Sequence, residues 1–279
     1  MRAQFSSLLL LISSACHLGM VLCYTDQALF RENFESMDVG DGWFDSSSLR
    51  VQDYHSGVKI LKATYNPTSR GSQRITKSYF FDKTDKATLS FDVKFHSQFE
   101  WVRGGKMHGL GGGSRTTGCN DITPDGWSVR MMWRQNGRPE LYVYHQDRVN
   151  RCGDSKEADF NFSVGKWYRI DMYIEMNSAA DTADGLAELY IDGIRYVRYD
   201  ELRLTGNMDV LIDSFMFSSF YGGADTTWSP SKDTYVYYDN FQVHPAKRIS
   251  GEKGKQCEIF MNGIARSLST KTYCCKKSC

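Results

Sequence analysis

Proline is scarce in this chain, five in 279 residues, and neither charge sign dominates, with 34 Lys and Arg against 33 Asp and Glu. Few prolines beside 16 Tyr, 16 Phe and 6 Trp argue against disorder. A net charge of +1 excludes a molecule that traps polyanions with its whole surface, and no nucleic-acid partner is expected. No long stretch carries a 3.6-residue apolar period and no repeat is present, which excludes helical bundles and solenoids. Paired CxxC spacing, an EF-hand loop and a dense Asp cluster are all missing, so no metal or cofactor is expected. A nucleophile elbow is missing too, and Gly111-Gly112-Gly113 lacks the Gly-Lys-Ser/Thr element of a phosphate loop.

The one long apolar run is N-terminal. Met1-Arg2 precedes Leu8-Leu9-Leu10-Leu11-Ile12, small residues follow, and Val21-Leu22-Cys23 fits a signal-peptidase site, with Ala15 as an alternative. Residues 1–23 read as a secretory signal, too short for a membrane anchor. The expectation is a secreted, extracellular protein with no membrane partner. Residues 24–246 then form one all-β domain, and residues 247–279 a basic, flexible linker and cysteine-rich tail. Six cysteines remain after cleavage. Their clustering pairs Cys119 with Cys152 and leaves Cys257, Cys274, Cys275 and Cys279 among themselves. Asn161-Phe162-Ser163 is an N-glycosylation sequon.

Short alternating segments dominate the rest. Residues 87–95 place Leu89, Phe91, Val93 and Phe95 inward, and Asp192-Gly193 reads as a type I′ hairpin turn. Further strands are expected over 167–175, 187–193, 210–220 and 235–243, with an opening strand and turn over 30–42. Residues 104–118 read as a glycine-rich loop able to approach a polymer closely or flex as a lid. Many short strands with turn signals imply a β-sandwich or jelly roll. The run Gly165-Lys166-Trp167, Asp184-Gly185 and Leu189-Tyr190-Ile191-Asp192-Gly193 resembles the concanavalin-like, laminin-G-like jelly rolls.

Two strands carry a polar face. In Trp127-Ser128-Val129-Arg130-Met131-Met132-Trp133, Ser128, Arg130 and Met132 share one side. In Glu140-Leu141-Tyr142-Val143-Tyr144, Tyr142 and Tyr144 point away from Leu141 and Val143. A two-residue turn on Asn136-Gly137 would set Arg130 against apolar Val143. A three-residue loop, Gln135-Asn136-Gly137 with Gly137 left-handed, sets Arg130 opposite Tyr142 and Ser128 opposite Tyr144. A cation, a hydroxyl and two phenols then share one face, as a site for an acidic sugar polymer requires. Residues 101–151 add a local basic excess, eight Arg/Lys (such as Arg134 and Arg148) against Asp121, Asp125, Glu140 and Asp147.

Gly104-Gly105-Lys106-Met107-His108-Gly109-Leu110-Gly111-Gly112-Gly113, with the Ser-x-Arg and Tyr-x-Tyr strands, resembles polysaccharide lyase family 14, which includes secreted alginate lyases of marine molluscs and related viral lyases. The resemblance covers roughly residues 27–245. It implies β-elimination on mannuronate-rich alginate: loss of the C5 proton, departure of the C4 oxygen and a 4,5-unsaturated product. It also implies catalytic positions at Lys106 and Tyr142, with Ser128, Arg130 and Tyr144 contacting substrate. His108, two residues from Lys106, is a rival base or a substrate contact. Arg130 is expected to offset the carboxylate's charge. Tyr142 is expected to shuttle the proton, its pKa of about 10 lowered by Lys106 and Arg130, and Lys106 to neutralise charge or share that duty. The two roles are exchangeable at this level. Alternatives are a lyase for another polyuronide such as glucuronan, or a non-catalytic lectin for acidic polysaccharide. A monomer is expected.

Overall fold

Adjacent strands in this chain alternate large apolar with polar side chains, so each sheet has one face to bury, and two such sheets close on each other. The computed structural model describes residues 27–251 and the backbone of Val21–Thr25 and Thr272–Lys276. Residues 28–252 form one compact unit; residues 1–27 and 253–279 form another, in which Val21–Thr25 pairs antiparallel with Thr272–Lys276. The rest of the leader and of the cysteine-rich tail lies outside the described residues.

The larger unit contains fourteen strands in its two main sheets. In chain order they are β1 (Phe30–Glu32), β2 (Leu49–His55), β3 (Val58–Tyr65), β4 (Ile75–Thr84), β5 (Lys86–Phe95), β6 (Gly104–Gly113) and β7 (Gly126–Arg134), then β8 (Pro139–Tyr144), β9 (Asp154–Glu157), β10 (Trp167–Glu175), β11 (Gly185–Ile191), β12 (Ile194–Leu202), β13 (Ile212–Tyr221) and β14 (Thr234–His244). One sheet runs β9-β8-β7-β6-β13-β4. The other runs β12-β11-β10-β5-β14-β3-β2, with β1 also on β14. All pairings are antiparallel. Among the described residues the only helical turns are single 3-10 turns. This is the jelly-roll sandwich expected from the strand pattern.

The core lies between the sheets. Val129, Met131 and Trp133 from β7 meet Phe91, Phe95 and Ile170 from the opposite sheet, all essentially inaccessible. Aromatic rings bridge the layers: Phe241 lies 5.5 Å from Phe215, and Tyr65 packs edge-on to Tyr221 at the same distance. Burying each such ring contributes about 1.5–3 kcal/mol. The Asp192-Gly193 turn has φ of 50° and 80°, as a type I′ turn requires.

Two expectations change. Residues 104–113 are not a loop but a central strand, flanked on both sides by β7 and β13. Lys247–Ser250 are not a free linker. Lys247 pairs with buried Glu188 at 2.6 Å, Ile249 packs on Tyr173 and Tyr190, and the Ser250 N–H donates to Asp171 at 2.8 Å.

Cys119 and Cys152 are disulfide-bonded, as their clustering implied. The bond joins residues 33 apart and ties the β6–β7 loop to the β8–β9 loop. Closing a loop of that length stabilises a chain by about 3–4 kcal/mol in the chain-entropy description. Replacing both cysteines by serine is expected to lower unfolding free energy by about that amount, read from denaturant midpoints. An unchanged midpoint would show that the two loops hold each other without the bond.

Candidate active site

The outward face of the six-stranded sheet is built in lateral rows set by strand register. Arg130 stands opposite Tyr142 and Ser128 opposite Tyr144. The connection from β7 to β8 is the three-residue loop Gln135-Asn136-Gly137, with Asn136 at φ 60° and Gly137 at φ 76°. The register inferred from alternation is therefore the register observed. The next row pairs Met132 with Glu140 on one side and Lys106 on the other.

Lys106 reaches this face because β6 is irregular. Its register against β7 slips between the Arg130–Gly109 and Met132–Lys106 pairs, and against β13 between Met216–Gly109 and Phe220–Lys106. The extra residue sends both Met107 and His108 into the core while Lys106 and Gly109 stay on the outer face. His108 is thus neither base nor substrate contact. It is fully buried, stacked on Phe217 at 4.3 Å and surrounded by Phe91, Tyr238 and Phe241. Burial holds its pKa well below the usual histidine value, so it is a neutral core ring.

The glycines of β6 answer to space rather than to flexibility. A Cβ on Gly109 would strike the Val129 carbonyl and come within 2.6 Å of Arg130 Cγ; one on Gly105 would strike the Trp133 ring. Gly109 lets the Arg130 side chain lie flat over the strand. Arg130 is 4% exposed, makes no ion pair among the described residues, and keeps a buried, unpartnered Nε. A guanidinium with an unmet donor is a ready receptor for a carboxylate.

Lys106 Nζ lies 4.4 Å from the Tyr142 ring centroid and donates to Met132 Sδ at 3.0 Å. Desolvation, then the charges of Arg130 and Arg134, press its pKa well below the usual lysine value; Glu140 opposes this more weakly. Glu140 is itself buried, held by Arg134 at 2.7 Å and by the Ser155 hydroxyl at 3.0 Å. Tyr142 shifts the opposite way from expectation. Burial and the Tyr144 hydroxyl, 3.3 Å away, raise its pKa, and Arg130 and Arg134 offset this only in part. The lysine is thus the group biased towards its free base, and the phenol the group biased towards keeping its proton.

Ser128 and Tyr144 are engaged by the overlying loop. The Ser128 hydroxyl donates to the Thr116 carbonyl at 2.6 Å and is inaccessible, so it anchors the loop instead of touching a polymer. The Tyr144 hydroxyl accepts from the Cys119 N–H at 2.9 Å, and the Arg148 guanidinium lies 5.2 Å from its ring. Ile122 of the same loop packs against Met132, Tyr142 and Tyr144. Trp127 and Trp133 are core residues, as their alternation implied. Asn161 is exposed, its amide donating to the Asn136 carbonyl at 2.9 Å. Sequence reasoning assigned no role to Met132, Arg134 or Glu140. Once the register is known, Met132 and Glu140 fall in the Lys106 row, which was the available signal. No three His, Cys, Asp or Glu side chains among the described residues group as metal ligands.

A jelly-roll sandwich that presents a lysine, a tyrosine and an arginine on one sheet face carries the groups that a polysaccharide lyase needs. Residues 48–241 match the profile described as Polysaccharide lyase 14, and the chain belongs to that family. It is similar to the alginate lyase Aly36B, one structure of which is a double alanine variant at a lysine and a tyrosine in complex with alginate tetrasaccharide. The identity there is 26%, over 77% of this chain and 95% of that one, with a TM-score of 0.67. The family 14 alginate lyase from Aplysia kurodai shares the fold at 21% identity, over 78% of this chain and 98% of that one, with a TM-score of 0.63. An endo-β-1,4-glucuronan lyase from Trichoderma reesei shares the fold at 15% identity, over 78% and 95% of the two chains, with a TM-score of 0.53. No curated protein sequence matches the chain.

The packing around Gly109 yields a direct test. Gly109→Ala is expected to displace Arg130 and lower stability by about 1–3 kcal/mol, the usual range for overpacking. Thermal denaturation reads this, and a wild-type melting temperature would mean that Arg130 does not depend on the missing Cβ.

Proposed function

We propose that this protein is a secreted alginate lyase that cleaves mannuronate-rich chains by β-elimination, with Lys106 as base and Tyr142 as acid. The observation that carries the reading is the opposed bias of these two neighbours: a lysine held towards its neutral amine beside a tyrosine held in its protonated form. The alginate oligosaccharides bound by Aly36B support the substrate class. The leader at residues 1–23 and the disulfide support an extracellular setting, and exposed Asn161 is open to glycosylation.

In this reading the substrate carboxylate lies on the Arg130 guanidinium, which offsets the charge that builds up as C5 loses its proton. The Lys106 amine takes that proton, the C5–H electron pair becomes the C4–C5 double bond, and the C4–O bond breaks. The Tyr142 hydroxyl protonates the departing O4. The resulting Lys106 ammonium then reprotonates the phenolate, directly or through water, and the site is reset. Met132, accepting from Lys106, and Tyr144, bonded to Cys119, hold the two proton carriers in place. Ser128 acts through the loop and His108 takes no part.

Poly-mannuronate, poly-guluronate and glucuronan are the substrates to compare, by absorbance of the new double bond. The fastest rise is expected on poly-mannuronate; no rise on any of the three would sink the lyase reading, and a preference for glucuronan would reassign the substrate. Lys106→Ala and Tyr142→Phe are each expected to cut turnover by about 10²–10⁴-fold, the usual share of an acid–base group. Either variant retaining near-wild-type turnover would remove that residue from proton transfer.

The pH dependence has a definite sign. A lysine base works only when unprotonated, so kcat/KM rises with pH through the lowered Lys106 pKa, while Tyr142 stays protonated over the same range because its pKa is raised. Arg134→Met removes one of the charges that depress Lys106. Its ascending limb is expected at higher pH than in the wild type. A limb that stays put or moves to lower pH would show that Lys106 is not the group titrating.

A further inference from the structure

The opposite side of the sandwich carries a second arrangement of cations and rings that the elimination chemistry does not use. On the outward face of the eight-stranded sheet, Arg50, Lys62, Tyr237, Lys94 and Trp167 stand side by side in a single lateral row across β2, β3, β14, β5 and β10. Lys94 Nζ sits among three rings, 4.6 Å from the Tyr54 centroid, 5.7 Å from Tyr237 and 5.9 Å from Trp167, and donates to the Tyr54 hydroxyl at 2.7 Å. Tyr54 and Trp167 are themselves edge-on at 5.7 Å. Lys62 Nζ lies 3.7 Å from the Tyr235 ring. Among the described residues neither lysine makes an ion pair with a carboxylate. Arg50 is exposed, and Tyr54, Lys62, Lys94, Trp167, Tyr235 and Tyr237 are half-buried, so the rings are packed against neighbours yet still reach solvent. A pocket opens here, lined by Tyr54, Lys94, His96 and Tyr237, with Asp53 as the one carboxylate among its lining residues.

This combination matches one ligand chemistry. Sugar rings present C–H faces that stack on aromatic side chains, and uronates add a carboxylate at each residue. Cations set between rings meet both demands, as a row running across five strands meets the repeat of a chain. Asp92 and Asp239 face each other in the neighbouring row, where Arg169 pairs with Asp92 at 3.3 Å; they bound the footprint on that side. We propose that this face is an accessory binding surface for the uronate polymer, separate from the elimination site, which retains long chains while the opposite sheet cleaves them. The choice of polymer rests on the proposed lyase function.

The test uses the full-length protein with Lys62→Gln and Lys94→Gln together, both outside the elimination site. Two readouts are needed: retention on immobilised poly-mannuronate with the Lys106→Ala substitution added to prevent cleavage, and turnover of a mannuronate hexasaccharide in the otherwise wild-type protein. The expected result is at least threefold weaker retention on the polymer with hexasaccharide kcat and KM unchanged. Trp167→Ala is expected to weaken retention in the same way, provided that its thermal denaturation matches the wild type. Unchanged retention in the double lysine variant would overturn the proposal, as would a parallel fall in hexasaccharide turnover. Failure of the wild-type protein to cleave any uronate polymer would reject the lyase function instead, and retention would then still decide the surface.

Discussion

Everything at the candidate site depends on holding Lys106 near the charges of Arg130 and Arg134 on a partly desolvated sheet face, with one buried carboxylate, Glu140, in the same row. Arg130 and Arg134 both repel Lys106, and Glu140, bonded to Arg134, offsets this in part. In water such a cluster would spread apart. Here the strands carry the side chains at fixed spacing, and stability from the core between the sheets offsets the repulsion. The repulsion has a chemical consequence: added to desolvation, it pushes the lysine, the member of the group whose proton is most readily lost, towards the free amine. In the proposed mechanism an anionic polymer entering this face relieves the charge on Arg130, so that binding and catalysis would draw on the same imbalance.

The glycines and the irregularity of β6 make this crowding sterically feasible. Without Cβ atoms at Gly105 and Gly109, Trp133 fills the core side and Arg130 lies across the outer side of one strand. The extra residue at Met107-His108 keeps an imidazole out of the site by rotating His108 into an aromatic cage. The disulfide-linked loops act at the far end of the same face. There the Thr116 carbonyl accepts a hydrogen bond from the Ser128 hydroxyl and the Cys119 N–H donates to the Tyr144 hydroxyl, so that Tyr142 is fixed through its neighbour.

Much of this was legible beforehand, unevenly. Alternation along residues 127–133 and 140–144 named the faces, and loop length named the register, because both follow from the two-residue repeat of a strand. Lys106 entered through family resemblance; nothing in its own glycine-rich surroundings distinguished a strand from a loop, since glycine carries no alternation to read. The same gap hid the bulge, and with it the fate of His108. Ser128 was correctly placed on the outer face, yet its hydroxyl belongs to Thr116, a partner twelve residues away that local pattern does not reveal. Met132 and Glu140 stood in plain view in the strands, but their meaning needed Lys106 on the third strand beside them.

By itself the sequence determined which side chains share a face, that two antiparallel sheets would close over an aromatic core, and that Arg130 would oppose Tyr142. These are consequences of backbone geometry, which acts over a few residues. The tertiary structure alone decided in which direction the proton affinities of the site's groups move. Lys106 is lowered and Tyr142 raised by burial and by charges from other strands, and such fields depend on distance and desolvation rather than on order along the chain.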